Sequence, residues 1–122
     1  MLAYNVGKDD LKDWLVAETS FNVRNCGKFE TIMSLGNGYL GIRSATEEKY
    51  CNEKRNTFVA GTFNKFDDTE VSELPNCADV TAIKLLINDV PLDLNRVAPK
   101  EYIRFLNLKT AELTRKFLWE TQ

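Results

Sequence analysis

From Phe29 to Arg43 the chain reads Phe-Glu-Thr-Ile-Met-Ser-Leu-Gly-Asn-Gly-Tyr-Leu-Gly-Ile-Arg, two β-prone runs on either side of Asn37-Gly38. An Asn-Gly pair between such runs is the strongest short-range hairpin signal a sequence carries. A type I′ turn needs positive φ at both central residues, and Asn and Gly tolerate that at least cost. The expectation is therefore a hairpin with strands at 28–35 and 39–44. Gly36 and Gly41 strip further Cβ atoms from the stretch, which marks a bulge or a close backbone approach. A phosphate-cradling loop is set aside, because it needs a glycine-rich turn feeding a helix, and 39–42 reads as a strand.

The rest of the chain repeats the short-strand pattern. Residues 9–17 are readable as two helical turns, with Leu11, Trp14 and Leu15 at i, i+3 and i+4, or as a strand in which Trp14 and Val16 alternate with Leu15 and Ala17. A strand at 13–18 is preferred, because the chain downstream is strand-like. Residues 19–27 are expected as a loop or a short excursion. Residues 46–56 are charged in mixed sign and read as a solvated loop or one helical turn. Further strands are expected at 57–63, 80–87, 90–94, 102–108 and 113–119, with an acidic loop at 64–73 and punctuation at Leu74-Pro75-Asn76. Asn88-Asp89 joins a second hairpin, and Pro91 confines its return strand to an edge. In the last strand Leu113, Arg115, Phe117 and Trp119 share one face. About eight short strands at near-regular spacing, with no long helical period, indicate an all-β fold built as an antiparallel sandwich or barrel.

Composition removes several functions. The 122 residues include 16 basic and 18 acidic side chains in mixed order, a net charge of −2, so no footprint for nucleic acid or an anionic membrane exists. No apolar run is long enough to span a bilayer, and the start lacks a basic segment followed by an apolar core, so a secretory signal is not expected. Met1 is taken as a natural start. The three cysteines, Cys26, Cys51 and Cys77, are widely spaced and are expected as reduced, structural thiols in the cytoplasm. The chain has no histidine, which removes Ser-His-Asp and Cys-His sites and leaves no metal-ligand set. The acids at 67–73 lack the spacing and central glycine of an EF-hand loop.

Four pieces in order carry a family resemblance: Trp14-Leu15-Val16-Ala17-Glu18; Ser34-Leu35-Gly36-Asn37-Gly38-Tyr39-Leu40-Gly41-Ile42-Arg43; Ala60-Gly61-Thr62-Phe63 leading to Glu73-Leu74-Pro75-Asn76; and Ile87-Asn88-Asp89-Val90-Pro91-Leu92-Asp93-Leu94 with Leu106-Asn107-Leu108 and Leu113-Thr114-Arg115. Together they resemble the N-terminal part of glycoside hydrolase family 65, which includes maltose, trehalose, kojibiose and nigerose phosphorylases and acid trehalases. The string Leu35–Arg43 is the specific part. Ser44 stands where the family usually has Gly, and Cys77-Ala78 where it usually has an apolar residue and proline.

The resemblance implies a galactose-mutarotase-like β-sandwich, of which residues 1–122 would be only the first, incomplete portion. The catalytic (α/α)6 barrel, with its glutamate general acid and phosphate-binding residues, would lie outside this chain. It further implies no catalytic residue and no metal here, and no cofactor other than inorganic phosphate as co-substrate of the parent enzyme. The implied partners are the barrel and a second copy in a homodimer. The function expected is that of a non-catalytic domain segment of an intracellular, cytoplasmic, inverting disaccharide phosphorylase. Asn37, Arg43, Glu73 and Asn76 are the candidates for a substrate rim or interface. Against these stand local roles: Asn37 as a turn residue, Arg43 paired with a nearby acid, and Trp14 and Trp119 in the core. The alternatives are a stand-alone carbohydrate-binding module, which would need an exposed aromatic row, and the same domain of a trehalase-type hydrolase.

Overall fold

The computed structural model describes residues 12–120. Its elements are β1 (Leu15–Glu18), α1 (Cys26–Ile32), β2 (Leu35–Gly36), β3 (Leu40–Ile42), β4 (Thr57–Val59), β5 (Leu86–Ile87), β6 (Val90–Pro91), β7 (Glu101–Asn107) and β8 (Glu112–Leu118). Single turns of 3-10 helix precede β1 and α1, at Lys12–Trp14 and Val23–Asn25. All strand pairing is antiparallel, in sheets ordered β1-β7-β8, β2-β3-β4 and β5-β6. The all-β, antiparallel character expected from the sequence is present, with one short helix added.

That helix replaces the strand expected at 28–35. Cys26, Glu30 and Met33 are all buried, and they recur at the i, i+4, i+7 spacing of a helix face. The period is hidden in the sequence because its central member is a glutamate. The turn at Asn37-Gly38 exists but is not type I′. Only Gly38 has positive φ, at 83°, and the pair closing the turn is Asn37 N–H to Leu40 O at 3.1 Å. Asn37 therefore sits at the first turn position, and its Oδ1 accepts from Tyr39 N at 3.0 Å and Leu40 N at 2.7 Å. The positive-φ pair lies instead between β5 and β6, where Asn88 and Asp89 have φ of 50° and 63°.

Other strands form in shortened versions. The run 80–87 yields only Leu86–Ile87, 57–63 yields Thr57–Val59, and 13–18 begins at Leu15. Strand propensity expresses how well a side chain suits a paired, half-buried surface, so a β-prone run without a partner strand stays irregular. The long pair β7–β8 runs in register from Glu101↔Leu118 to Asn107↔Glu112, and β1 joins its free side through Leu15↔Asn107 to Glu18↔Arg104. One face of this sheet thus carries Glu18, Arg104 and Arg115 in a row across the three strands, with Tyr102 and Phe117 beside it and Val16, Leu106 and Leu113 beyond.

Candidate functional site

Residues 46–56 were expected as a solvated loop or one helical turn, and with 43–45 they form a segment that is neither solvated nor helical. They form neither helix nor strand, yet Ser44, Thr46, Glu48 and Tyr50 are buried at alternate positions. The segment is an extended strap laid between α1 and the sheet β1-β7-β8. Three of the four, Ser44, Thr46 and Glu48, are polar, so the period-2 signal is present with only Tyr50 to make it visible.

Charge holds the strap. Glu30 of α1 is wholly buried and accepts from Arg43 Nε, from the Tyr50 hydroxyl and, at 3.2 Å, from Lys54 N. Burial disfavours its charge, but the Tyr50 and Arg43 hydrogen bonds win and hold its pKa below the usual glutamate value. The same partnership, added to burial, pushes the Tyr50 phenol up. Ser44 N donates to Glu30 O at 3.0 Å, and Ser44 Oγ donates to Met33 O. From the sheet side, Arg104 Nη2 donates to Ser44 O. Arg115 takes Glu48 bidentately, at 2.9 and 2.8 Å, and also pairs with Glu47. Its guanidinium stacks over Phe117 at 4.9 Å. Arg55 closes the strap on itself, with Nη2 on Thr46 O at 2.6 Å and Glu48 O at 3.0 Å and Nε on Glu53 at 2.9 Å.

Glu18 has a different environment. Tyr102 donates to its Oε2 at 3.0 Å, but its buried Oε1 has no hydrogen-bond partner. Desolvation outweighs Tyr102, Arg104 and Arg115 and raises its pKa. Nearby Cys26 is pushed up to about 11, by burial first and then by Glu18, so its thiol stays protonated and inert.

Between strap and sheet lies a cavity of about 290 Å³ walled by Glu47, Ile83, Leu85, Arg104, Arg115 and Phe117. A second hollow of about 440 Å³ lies beyond Glu47 and Ile83, rimmed by Lys49, Lys84, Asp93 and Arg96. Arg43, Arg55, Arg104 and Arg115 each bond a carboxylate or a carbonyl oxygen of the chain itself. The chemistry of the arrangement is that of a clamp on a segment of backbone. Among the described residues no group of His, Cys, Asp and Glu is placed to hold a metal ion, and no helix is long and apolar enough to cross a membrane.

The four candidates from the sequence are not brought together. Asn37 caps its own turn. Arg43 binds Glu30 and, at 2.6 Å, Thr31 Oγ1. Asn76 bridges two backbone groups, accepting from Thr57 N at 2.8 Å and donating to Arg55 O at 3.2 Å. Glu73 is exposed, and its backbone pairs with Asn64 across the mouth of the acidic loop. The aromatics are less buried than their alternation suggested. Trp14 is 46% exposed, and Tyr39, Phe63 and Phe66 are 67, 66 and 86% exposed. Sequence reasoning missed Glu18, Glu48, Arg104 and Arg115. For Arg104 and Arg115 the only signal was a charge inside a strand-like run, flanked two residues away by Tyr102 and Leu106 or by Leu113 and Phe117; Glu48, inside the mixed-charge segment, carried no such signal.

The model of the glycosyl hydrolase family 65 N-terminal domain matches residues 16–122. The chain belongs to that family. It is 47% identical over 98% of its length to a kojibiose phosphorylase of Halothermothrix orenii, and 31% identical over 90% to an alpha,alpha-trehalose phosphorylase of Thermoanaerobacter brockii. A solved structure described as a putative kojibiose phosphorylase from human microbiome superposes on 92% of the chain with a TM-score of 0.78 at 26% identity. The chain spans 15% of the length of the Halothermothrix protein and 16% of the solved one. Within this family 65 chain, the string Leu35–Arg43 leads from the turn after α1 into the strap. Ser44 is buried at its start.

Proposed function

We propose that this chain is the non-catalytic N-terminal portion of the β-sandwich of a cytoplasmic, inverting disaccharide phosphorylase, with kojibiose as its substrate. The observation that carries the reading is the 47% identity to a kojibiose phosphorylase along almost the whole chain. In the parent enzyme phosphate attacks the anomeric carbon while a barrel glutamate protonates the leaving oxygen, giving β-glucose 1-phosphate and free glucose. The present residues supply a shaped surface for the rest of that enzyme. Eleven large apolar side chains between Phe58 and Val90 are exposed, including Phe63, Phe66, Val71 and Leu74. Such a surface suits burial against another domain, here the barrel of the same parent, which we also take to be a homodimer.

The test is a phosphate-dependent assay of kojibiose, trehalose and maltose with two proteins, the pure 122-residue chain and the product of its full reading frame. The expected result is no turnover by the chain alone and glucose 1-phosphate from kojibiose with the long product. Turnover by the chain alone overturns the non-catalytic assignment. Glucose release without phosphate by the long product overturns the phosphorylase assignment in favour of a hydrolase.

A further inference from the structure

We propose that the β2–β3 turn is a self-deamidating site, at which Asn37 converts through a succinimide to aspartate and isoaspartate in the folded chain. Three features of the turn converge on this chemistry. Asn37 is the only asparagine of the chain followed by a glycine; every other one precedes a residue with a Cβ. Both Asn37 and Gly38 are exposed, and a Cβ built on Gly38 would meet nothing within 4 Å, so the Gly38 nitrogen is open to approach. The Gly38 N–H forms no hydrogen bond with the described residues, so no bond must break before it reacts.

The electrophile is prepared at the same time. Asn37 Oδ1 accepts from Tyr39 N at 3.0 Å and Leu40 N at 2.7 Å. These two amides polarise the side-chain carbonyl and face the oxygen on which negative charge grows when Cγ becomes tetrahedral, the role of an oxyanion hole. The Gly38 nitrogen gives its proton to water or hydroxide and attacks Asn37 Cγ. The new N–Cγ bond forms, the Cγ–Nδ2 bond breaks, and ammonia leaves with a proton. Water then opens the ring at either carbonyl. Opening at the backbone carbonyl leaves isoaspartate, and opening at the side-chain carbonyl leaves aspartate. The net change is one water in and one ammonia out, with no oxidant or cofactor.

The two products act differently on the fold. Aspartate keeps an acceptor oxygen for Tyr39 N and Leu40 N. Isoaspartate adds a methylene to the main chain inside the four-residue turn and shifts Gly38 relative to the Asn37–Leu40 pair that closes it.

The experiment incubates the native chain and a urea-unfolded sample at mildly alkaline pH. Peptide mapping by mass spectrometry then follows the exchange of NH2 for OH, and an isoaspartate-specific methyltransferase identifies the product. Native Asn37 is expected to convert at least about tenfold faster than any other asparagine, and no slower than in the unfolded chain, because donors aimed at an oxyanion accelerate such steps. Conversion of Asn37 in urea but not in the native chain overturns the proposal, since the turn would then be protecting its asparagine. Asn37→Asp supplies the second arm. Its backbone amides at 35–42 are expected to exchange hydrogen as slowly as in the original chain, while the isolated isoaspartate form loses that protection. Equal protection in both overturns the assigned effect on the turn.

Discussion

Removing the carboxylate of Glu30 should detach the strap from α1. The side chain is 0% exposed and serves three donors: Arg43 Nε, the Tyr50 hydroxyl and Lys54 N. In Glu30→Ala the guanidinium of Arg43, whose side chain is 26% exposed, turns to water, but the buried Tyr50 hydroxyl and the part-buried Lys54 N lose their acceptor. A buried donor left without a partner costs about 1–3 kcal/mol, and the vacated methylenes add a cavity term, so the loss should be about 5 kcal/mol. Glu30→Gln keeps the volume and one acceptor but turns an NH2 toward a donor, and about 3 kcal/mol is expected. Urea unfolding followed by tryptophan fluorescence at an unchanged m-value measures both. The pH dependence adds a signature. The pKa of Glu30 is lower folded than unfolded, so its contribution is present above the usual glutamate value and disappears as pH falls through the depressed one. The gap between the original chain and Glu30→Gln should therefore narrow in acid. A loss under about 0.5 kcal/mol, the scale of an ordinary surface substitution, would refute the reasoning, as would a gap that does not change with pH.

Glu18→Gln should act with the opposite sign. Burial raises the folded pKa of Glu18, so between the unfolded and folded values the native state binds the extra proton and the chain gains stability as pH falls. The variant should lack that gain, read as a flatter urea midpoint between neutral pH and the carboxylate range; an unchanged pH slope would contradict it. Asn76→Ala should cost about 1–2 kcal/mol, because Thr57 N, on a residue 4% exposed, loses its acceptor. Asn76→Asp, which keeps that acceptor, should recover most of the loss in the same titration.

Parts of this fold can be read from the sequence, and the failures share one physical cause. β7 and β8 are legible because Tyr102, Ile103, Phe105 and Leu106 make a dense apolar and aromatic run, Leu113 and Phe117 recur at even spacing, and the strands pair along their full length. The Asn37-Gly38 turn is legible as a turn, but its type depends on which residues close it, and that follows from where β2 can begin after α1. Helix α1 and the strap are illegible because a hydrophobic-pattern reading treats buried residues as apolar. Glu30 occupies the central inward position of the helix, and Ser44, Thr46 and Glu48 occupy those of the strap. Ser44 and Glu48 are held by arginines distant in sequence, at 104 and 115, and Glu30 by Arg43, Tyr50 and Lys54, none of which a local window contains.

This distribution of buried and exposed groups bears on what the segment is built to do. Among the described residues the buried apolar side chains are Cys26, Met33, Tyr50, Leu94, Phe105 and Leu106, while seven polar or charged residues are equally buried. Burial of apolar area stabilises without direction, whereas arginine–carboxylate pairs stabilise only in one geometry and cost their desolvation when misplaced. A small apolar core with a dense polar clamp therefore fixes the course of the backbone more strongly than it stabilises the unit as a whole. The apolar material that would add stability lies outside, and most of it falls between Phe58 and Val90. That division assigns separate roles to the two halves of the sequence's hydrophobic pattern. The pattern inside the β1-β7-β8 sheet holds the strap in shape, and the pattern between Phe58 and Val90 leaves its apolar area exposed, where it adds nothing to the stability of this segment.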